Sequence, residues 1–323
     1  MIKKLYNLMY YARTHSSDTF YKVIKKLCIS AVENLFPIVS IFYNYEQNRK
    51  INLTDKQIII SLTSYSIRLN KVHLTIKTLL RQTHRIDKII LWVSNEEYKK
   101  INDLPKKILK LQRYGLQIKL CEDLKSHKKY YYTLLENPDA ITITVDDDTY
   151  YPEDLIETLI KGHLKYPKSI CCLRGHYINL NKELNVDNYD KWNMEYEGEI
   201  KESIFICPTG CQGVLYPPGA LNREVFNIDK FKMLCPKADD LWLKIMALKN
   251  TTSSVLLRER AIPFATIKGS QGISLEKQNN GNKENDIQLK HLLENYPEVI
   301  KVLRNHYDKS HLENLNKKDK ILL

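Results

Sequence analysis

The feature that most constrains this chain is the run Ile141-Thr142-Ile143-Thr144-Val145-Asp146-Asp147-Asp148-Thr149-Tyr150-Tyr151-Pro152. A β-branched strand passes directly into three adjacent carboxylates, and a proline able to start a helix follows. Three like charges at the mouth of a buried strand resist desolvation and need a cation or a wet site. If the extended geometry runs through the triplet, Asp146 and Asp148 point to one side and Asp147 to the other. That is an Asp-x-Asp pair suited to a hard divalent ion that also holds phosphates. The competing reading is a solvated turn whose acids favour a helix N-terminus.

Upstream, the same alternation of strand and helix repeats. Residues 58–62, 88–93, 116–121 and 140–145 read as strands. Residues 72–81, 96–101, 105–113, 128–135 and 152–166 read as helices. Strands separated by helices predict an α/β, Rossmann-like, mostly parallel sheet flanked by helices. Ligands of such sheets gather at the carboxyl ends of the strands, where Thr63-Ser64, Cys121-Glu122-Asp123 and the triplet all fall. After residue 170 the pattern changes. Residues 177–205 are polar and irregular, the run 207–219 brings Gly210, Gly213 and paired prolines, and Asp239-Asp240 opens a further helix.

In this order the residues resemble a family: a strand with Thr63-Ser64, a strand with Asp123, a basic helix start, the Asp triplet, a Gly-rich loop, and Asp239-Asp240 on a helix. The set is similar to the GT-A fold, nucleotide-sugar-dependent glycosyltransferases, near the family 2 group that builds bacterial surface polysaccharides. The resemblance spans roughly residues 56–275. It implies metal-dependent transfer of a sugar, with inversion, from a nucleoside-diphosphate sugar (a UDP-sugar) to a hydroxyl of a cell-envelope glycan or lipid-linked acceptor. Thr63, Ser64 and Arg68 would line the nucleotide pocket, Asp123 would accept from the base, and Lys128 or Lys129 would lie over the nucleotide. Asp146 and Asp147 would border ribose and sugar, while Asp148 with Asp146 would hold Mn²⁺ or Mg²⁺ as a Lewis acid. Gly210, Gln212 and Gly213 would border donor sugar and acceptor. Asp240, with its neighbour Asp239, would take the acceptor proton. Helix capping by Asp239 is compatible with that role.

Two departures from the family stand out: the second strand ends in Ser94-Asn95 where many members carry an Asp, and no His occupies a third-ligand position in 260–290. The loop Lys268-Gly269-Ser270-Gln271-Gly272 could close over the phosphates instead through backbone N–H groups and lysine charge. Two alternatives are carried. A nucleotidyltransferase is also α/β with paired carboxylates, but would be expected to bring a glycine-bearing phosphate loop after the first strand, and Thr63–Leu69 has none. A basic nucleic-acid-binding protein would use the net charge of +12, yet the acids gather where a polyanion would lie, so no nucleic-acid partner is expected.

The expected division is a basic helical arm over 1–50, a GT-A domain over 51–275 with halves 51–170 and 171–275, and a helical extension over 276–323. Lys3, Lys4, Lys22, Lys25 and Lys26 among Tyr, Leu and Ile suit either a basic helix resting on anionic lipid or an arm packed on the main domain. Seven irregularly spaced cysteines suit a reducing compartment, and the longest early apolar stretch is about half the ~20 residues needed to span a bilayer. The expected location is cytoplasmic, with peripheral contact at the inner face of the membrane. Trp92 and Trp242 are expected in the core.

Overall fold

A computed structural model describes residues 1–43, 45, 51–270 and 283–307. Its centre is an eight-stranded sheet in the order β3-β2-β1-β4-β9-β5-β10-β7. The left half is parallel: β1 (Ile58–Thr63), β2 (Lys88–Ser94), β3 (Leu116–Cys121) and β4 (Ile141–Thr144). β1 to β4 carry near-continuous Ile, Leu, Val and Thr because helices cover both faces of such a sheet. The helices are α3 (Ser66–Leu80), the short α4 (Lys106–Leu109), α5 (Lys128–Glu136) and α6 (Leu155–Lys165). The mixed α/β, mostly parallel, Rossmann-like architecture expected from the sequence is what the chain forms.

The right half is built from strands of two or three residues: β5 (Ile170–Cys172), β7 (Glu202–Ser203), β9 (Val214–Tyr216) and β10 (Ser254–Leu256). β9 runs antiparallel between β4 and β5, pairing Thr144 with Val214 and Cys172 with Val214. Its first residue therefore lies at the carboxyl end of β4, which places the preceding Gly-rich loop beside the Asp triplet. A separate ladder of β6 (Gly175–Tyr177) and β8 (Ile206–Pro208) closes the base of the segment 178–205. Helices α7 (Ile228–Leu234) and α8 (Asp239–Lys249) pack on this half around Trp242, while Trp92 sits in β2; both indoles are core, at 0% and 2% exposure.

Strand order reverses between β1 and β4: the chain leaves β1 toward β2 and β3, then returns to β1's other side with β4. In open sheets of this kind the crevice outside the carboxyl ends of the strands at such a reversal, here β1 and β4, is where ligands bind. The register fixes what meets there. Ser61 pairs with Thr144, so three residues further on Ser64 comes opposite Asp147.

Local differences from the sequence reading have local causes. Residues 96–101 form turns followed by a 3-10 turn, Ile101–Asp103, and 105–113 give only α4 and a second 3-10 turn, Gln112–Tyr114. Pro105 and the left-handed Gly115 bound the latter segment too closely for a long helix. The helix after Pro152 starts at Leu155, past a turn. The single closing helical region becomes two helices, Glu284–Asn295 and 298–307, interrupted at Pro297. Gln271 and Gly272 of the loop Lys268–Gly272 lie outside the described residues, as do 276–282 and 308–323 of the helical extension.

The arm forms α1 (Ile2–His15) and α2 (Asp18–Val39). Ile2, Tyr6, Met9, Val32 and Phe36 are buried in the same core as the sheet. The Tyr6 ring stacks on Phe264 at 4.7 Å. Its hydroxyl donates to the Tyr150 carbonyl at 2.9 Å and accepts from the Ala265 amide at 2.7 Å. No helix among the described residues is long and apolar enough to cross a membrane.

Candidate active site

The strand carrying the triplet stops at Thr144, and Asp147-Asp148 form a turn. This breaks the alternation expected of extended backbone, so the carboxylates sort differently. Asp147 and Asp148 go together to Arg68, with ion pairs of 2.8 and 3.1 Å. Asp146 turns away toward Lys129, at 3.1 Å. The expectation that Asp146 and Asp148 converge on one point is thereby corrected. Among the described residues no group of three His, Cys, Asp or Glu side chains is arranged to hold a metal ion.

The Arg68 cluster is buried and closely bonded. Ser64 Oγ donates to Asp147 Oδ2 at 2.5 Å, Thr75 Oγ1 donates to the Asp147 carbonyl at 2.9 Å, and Arg68 also donates to the Ser270 carbonyl at 3.1 Å. The Ile267 amide donates to the Asp148 carbonyl at 2.7 Å. Burial and the neighbouring Asp147 charge push the Asp148 carboxyl up to about 6, against the pull of Arg68. Burial likewise raises Asp147. Arg68, placed in the sequence on the nucleotide pocket, thus offsets part of the charge of Asp147 and Asp148 and ties down the triplet turn.

Lys129 is the hub of a second cluster. It is 6% exposed and pairs with Asp146 and, at 2.9 Å, with Asp239 at the start of α8. Burial alone would lower its pKa, but Asp146, Asp239 and Asp240 outweigh it and hold the ammonium well above its ordinary range. Burial raises Asp239 less than Lys129 and His127 lower it, so it stays ionised. Asp240 has the opposite balance: burial and the Asp239 charge push its carboxyl up to about 7. The Gly210 amide donates to Asp240 Oδ2 at 3.2 Å.

Gly210 marks the point of convergence. A β-carbon there would lie 2.8 Å from Lys129 Nζ, 3.2 Å from Asp146 Oδ1 and 3.5 Å from Asp240 Oδ1. Asp146 and Asp240 are the carboxylates of this cluster that keep partial exposure, the Asp146 side chain at 33%. Gly210→Ala is expected to weaken the binding of any ligand that enters this space at least tenfold in calorimetry, while the melting temperature moves by only a few degrees. The methyl fills the space between the carboxylates, and the atom it meets first is the end of a side chain rather than backbone. Unchanged binding would show that this space is not used.

The remaining candidates lie at varying distances from this point. Thr63 donates to the Trp92 carbonyl at 2.9 Å and is a strand-end tie. Asp123 is held by Lys125 and Lys128; burial pushes its carboxyl up, but those two ammonium groups bring it down to about 2. It follows β3, an edge strand, three strands from β4. Lys128 and Lys129, adjacent at the start of α5, therefore serve different acids. Gln212 is buried and donates to the Ile262 carbonyl at 2.8 Å, and Gly213 takes a φ of 87° that lets the loop turn into β9. The sequence reading missed Tyr151. Its hydroxyl accepts from the Asp146 amide at 2.9 Å and donates to the Cys211 carbonyl at 3.2 Å, tying the triplet to the Gly-rich loop. All seven cysteines are free and six are buried.

No protein-family model matches the chain, and no curated protein matches it in sequence. Solved structures do match in fold. One is a 4-diphosphocytidyl-2C-methyl-D-erythritol synthase, at 10% identity and a TM-score of 0.33 over 55% of this chain and 86% of that one. Another is a CMP:2-keto-3-deoxy-manno-octonic acid synthetase complexed with CTP, at 10% identity and a TM-score of 0.37 over 71% of this chain and 99% of that one. Both names describe nucleotidyl rather than glycosyl transfer, and the expectation of sugar transfer is corrected accordingly.

Proposed function

We propose that the chain is an enzyme of the nucleotidyltransferase class, acting on a nucleoside triphosphate bound at the carboxyl ends of β1 and β4. The observation that carries the reading is the convergence of Lys129 and two partly exposed carboxylates, Asp146 and Asp240, on Gly210, in the loop that enters β9 at the carboxyl end of β4. Residues 51–275 would bear this chemistry, with 1–50 and 276–323 as helical additions.

The site also fits a divalent ion. Asp146 and Asp240 supply hard oxygen donors close to a common point, and a carboxyl raised to about 7 is one that an added cation would ionise. Mn²⁺ or Mg²⁺ bound there would neutralise charge on the phosphate oxygens. Lys129 would face the same oxygens, supplying from α5 the positive charge that a glycine-bearing loop after β1 would otherwise bring. Arg68 and Ser64 would act one step back, fixing the turn from which Asp146 projects. Tyr151 would hold the Asp146 backbone against the Gly-rich loop. An acceptor oxygen entering past residues 209–213 would attack the α-phosphorus, the bond to the β-phosphate would break, and pyrophosphate would leave.

The test uses the full chain with each of the four common nucleoside triphosphates and Mg²⁺ or Mn²⁺. Calorimetry is expected to give saturable, metal-dependent binding of a triphosphate, and phosphorus NMR with a panel of sugar, sugar-acid and polyol-phosphate acceptors is expected to show pyrophosphate. Release of a nucleoside diphosphate from a sugar nucleotide, with no pyrophosphate from any triphosphate, would overturn the reading.

A further inference from the structure

The helix α2 has two apolar faces, and the core uses one of them. Tyr21, Cys28, Val32 and Phe36 are buried against α1 and the sheet. A second stripe, Phe20, Val23, Leu27, Leu35 and Ile38, follows helical spacing on another side, and each of its members is 51–62% exposed. Just beyond the helix, Ile41 and Phe42 are 71% and 82% exposed. An apolar stripe of this length on one surface helix marks a contact site rather than scattered exposed residues.

Charge indicates what would cover it. Residues 1–42 contain six Lys or Arg against two acids. Lys22 and Lys26, both exposed, stand on the same turns of α2 as Phe20, Val23 and Leu27, on the helix's polar side. A second copy of the chain laid on this face would bring the same lysines together within a molecule of net charge +12. An anionic lipid surface satisfies both halves of the pattern, because acyl chains take the stripe while headgroups take the lysines.

We propose that α2 and the residues to Phe42 form an interfacial docking surface for an anionic bilayer, lying in the headgroup plane without crossing it. The inference is independent of the reaction assigned to the crevice, which faces the carboxyl ends of β1 and β4.

Flotation of the full chain with vesicles of phosphatidylcholine alone or with about one-third phosphatidylglycerol tests it. Binding is expected on the anionic vesicles and to fall at least tenfold when salt is raised from 50 to about 500 mM, by screening. The double variant Leu27→Glu, Leu35→Glu is expected to lose at least tenfold in partitioning with an unchanged melting temperature. Leu27→Trp reports insertion directly, through a blue shift of its emission on anionic vesicles. Binding indifferent to the phosphatidylglycerol content, absence of binding, or a wild-type dimer in sedimentation that Leu27→Glu, Leu35→Glu makes monomeric would each overturn the proposal.

Discussion

Lys129→Met is expected to destabilise the protein by about 3–5 kcal/mol at pH 8, the range found when one partner of a buried ion pair is removed. Methionine fills a similar volume, so packing is largely kept and the loss isolates charge. The ammonium pairs with Asp146 and with the buried Asp239, and its charge also reaches Asp240. Without it, two acids at the start of α8 are buried side by side with little compensation. The sign of the pH dependence follows from Asp239, which Lys129 and His127 hold below its unfolded value. A depressed carboxyl contributes stability above the unfolded pKa and loses it as pH falls through the folded one. The deficit of Lys129→Met should therefore be large at pH 8 and shrink toward pH 4, where the freed carboxyls take up protons instead. Urea denaturation at the two pH values measures it. A deficit below about 1 kcal/mol at pH 8 would mean that water, not Lys129, solvates these acids.

Asp240→Asn should act in the opposite direction. Asp240 is raised to about 7, so between its unfolded value and pH 7 the folded state holds a proton that the unfolded state has released. Stability from this group is full at low pH and falls as pH rises through that window. Asparagine removes the penalty while its carbonyl can still accept from the Gly210 amide. The variant should match the native protein near pH 4, at the unfolded carboxyl value, and melt a few degrees higher at pH 8. On the proposed function it should also lose at least a hundredfold in turnover, together with most of the thermal stabilisation expected of the native chain on adding Mn²⁺. A variant that is less stable at pH 8, or that keeps its Mn²⁺ shift, would remove Asp240 from the proposed site.

The parts of this molecule legible from sequence are those where periodicity and chemistry agree over several residues. β1 to β4 announce themselves as apolar runs between helical stretches, and the acids at Asp146 to Asp148 and Asp239-Asp240 follow as strand-end and helix-start features. What stayed hidden is set by contacts at long range. Strands of two or three residues such as β5, β9 and β10 carry too few positions for a period to show. The turn at Asp147-Asp148 depends on Arg68 drawing both side chains one way, which no local propensity encodes. That Lys129 rather than Lys128 reaches Asp146 and Asp239 depends on the orientation of α5 over the sheet. Tyr151 was visible only as an aromatic after the triplet, and its hydroxyl gained meaning from Cys211, 60 positions away.

The hydroxyl of Tyr6 closes a contact with the amide of Ala265 across 259 positions of chain. Synthesis runs from the amino end at ~5–20 residues per second, so α1 leaves the ribosome about 13–50 s before its seat is complete. For that interval Tyr6 and Met9 have α2 and the earlier strands to pack on but lack Phe264 and the Ala265 amide. The arm is thus incompletely seated during biogenesis, and the ring of Phe264 arrives to close over it only once the last strand of the sheet is completed.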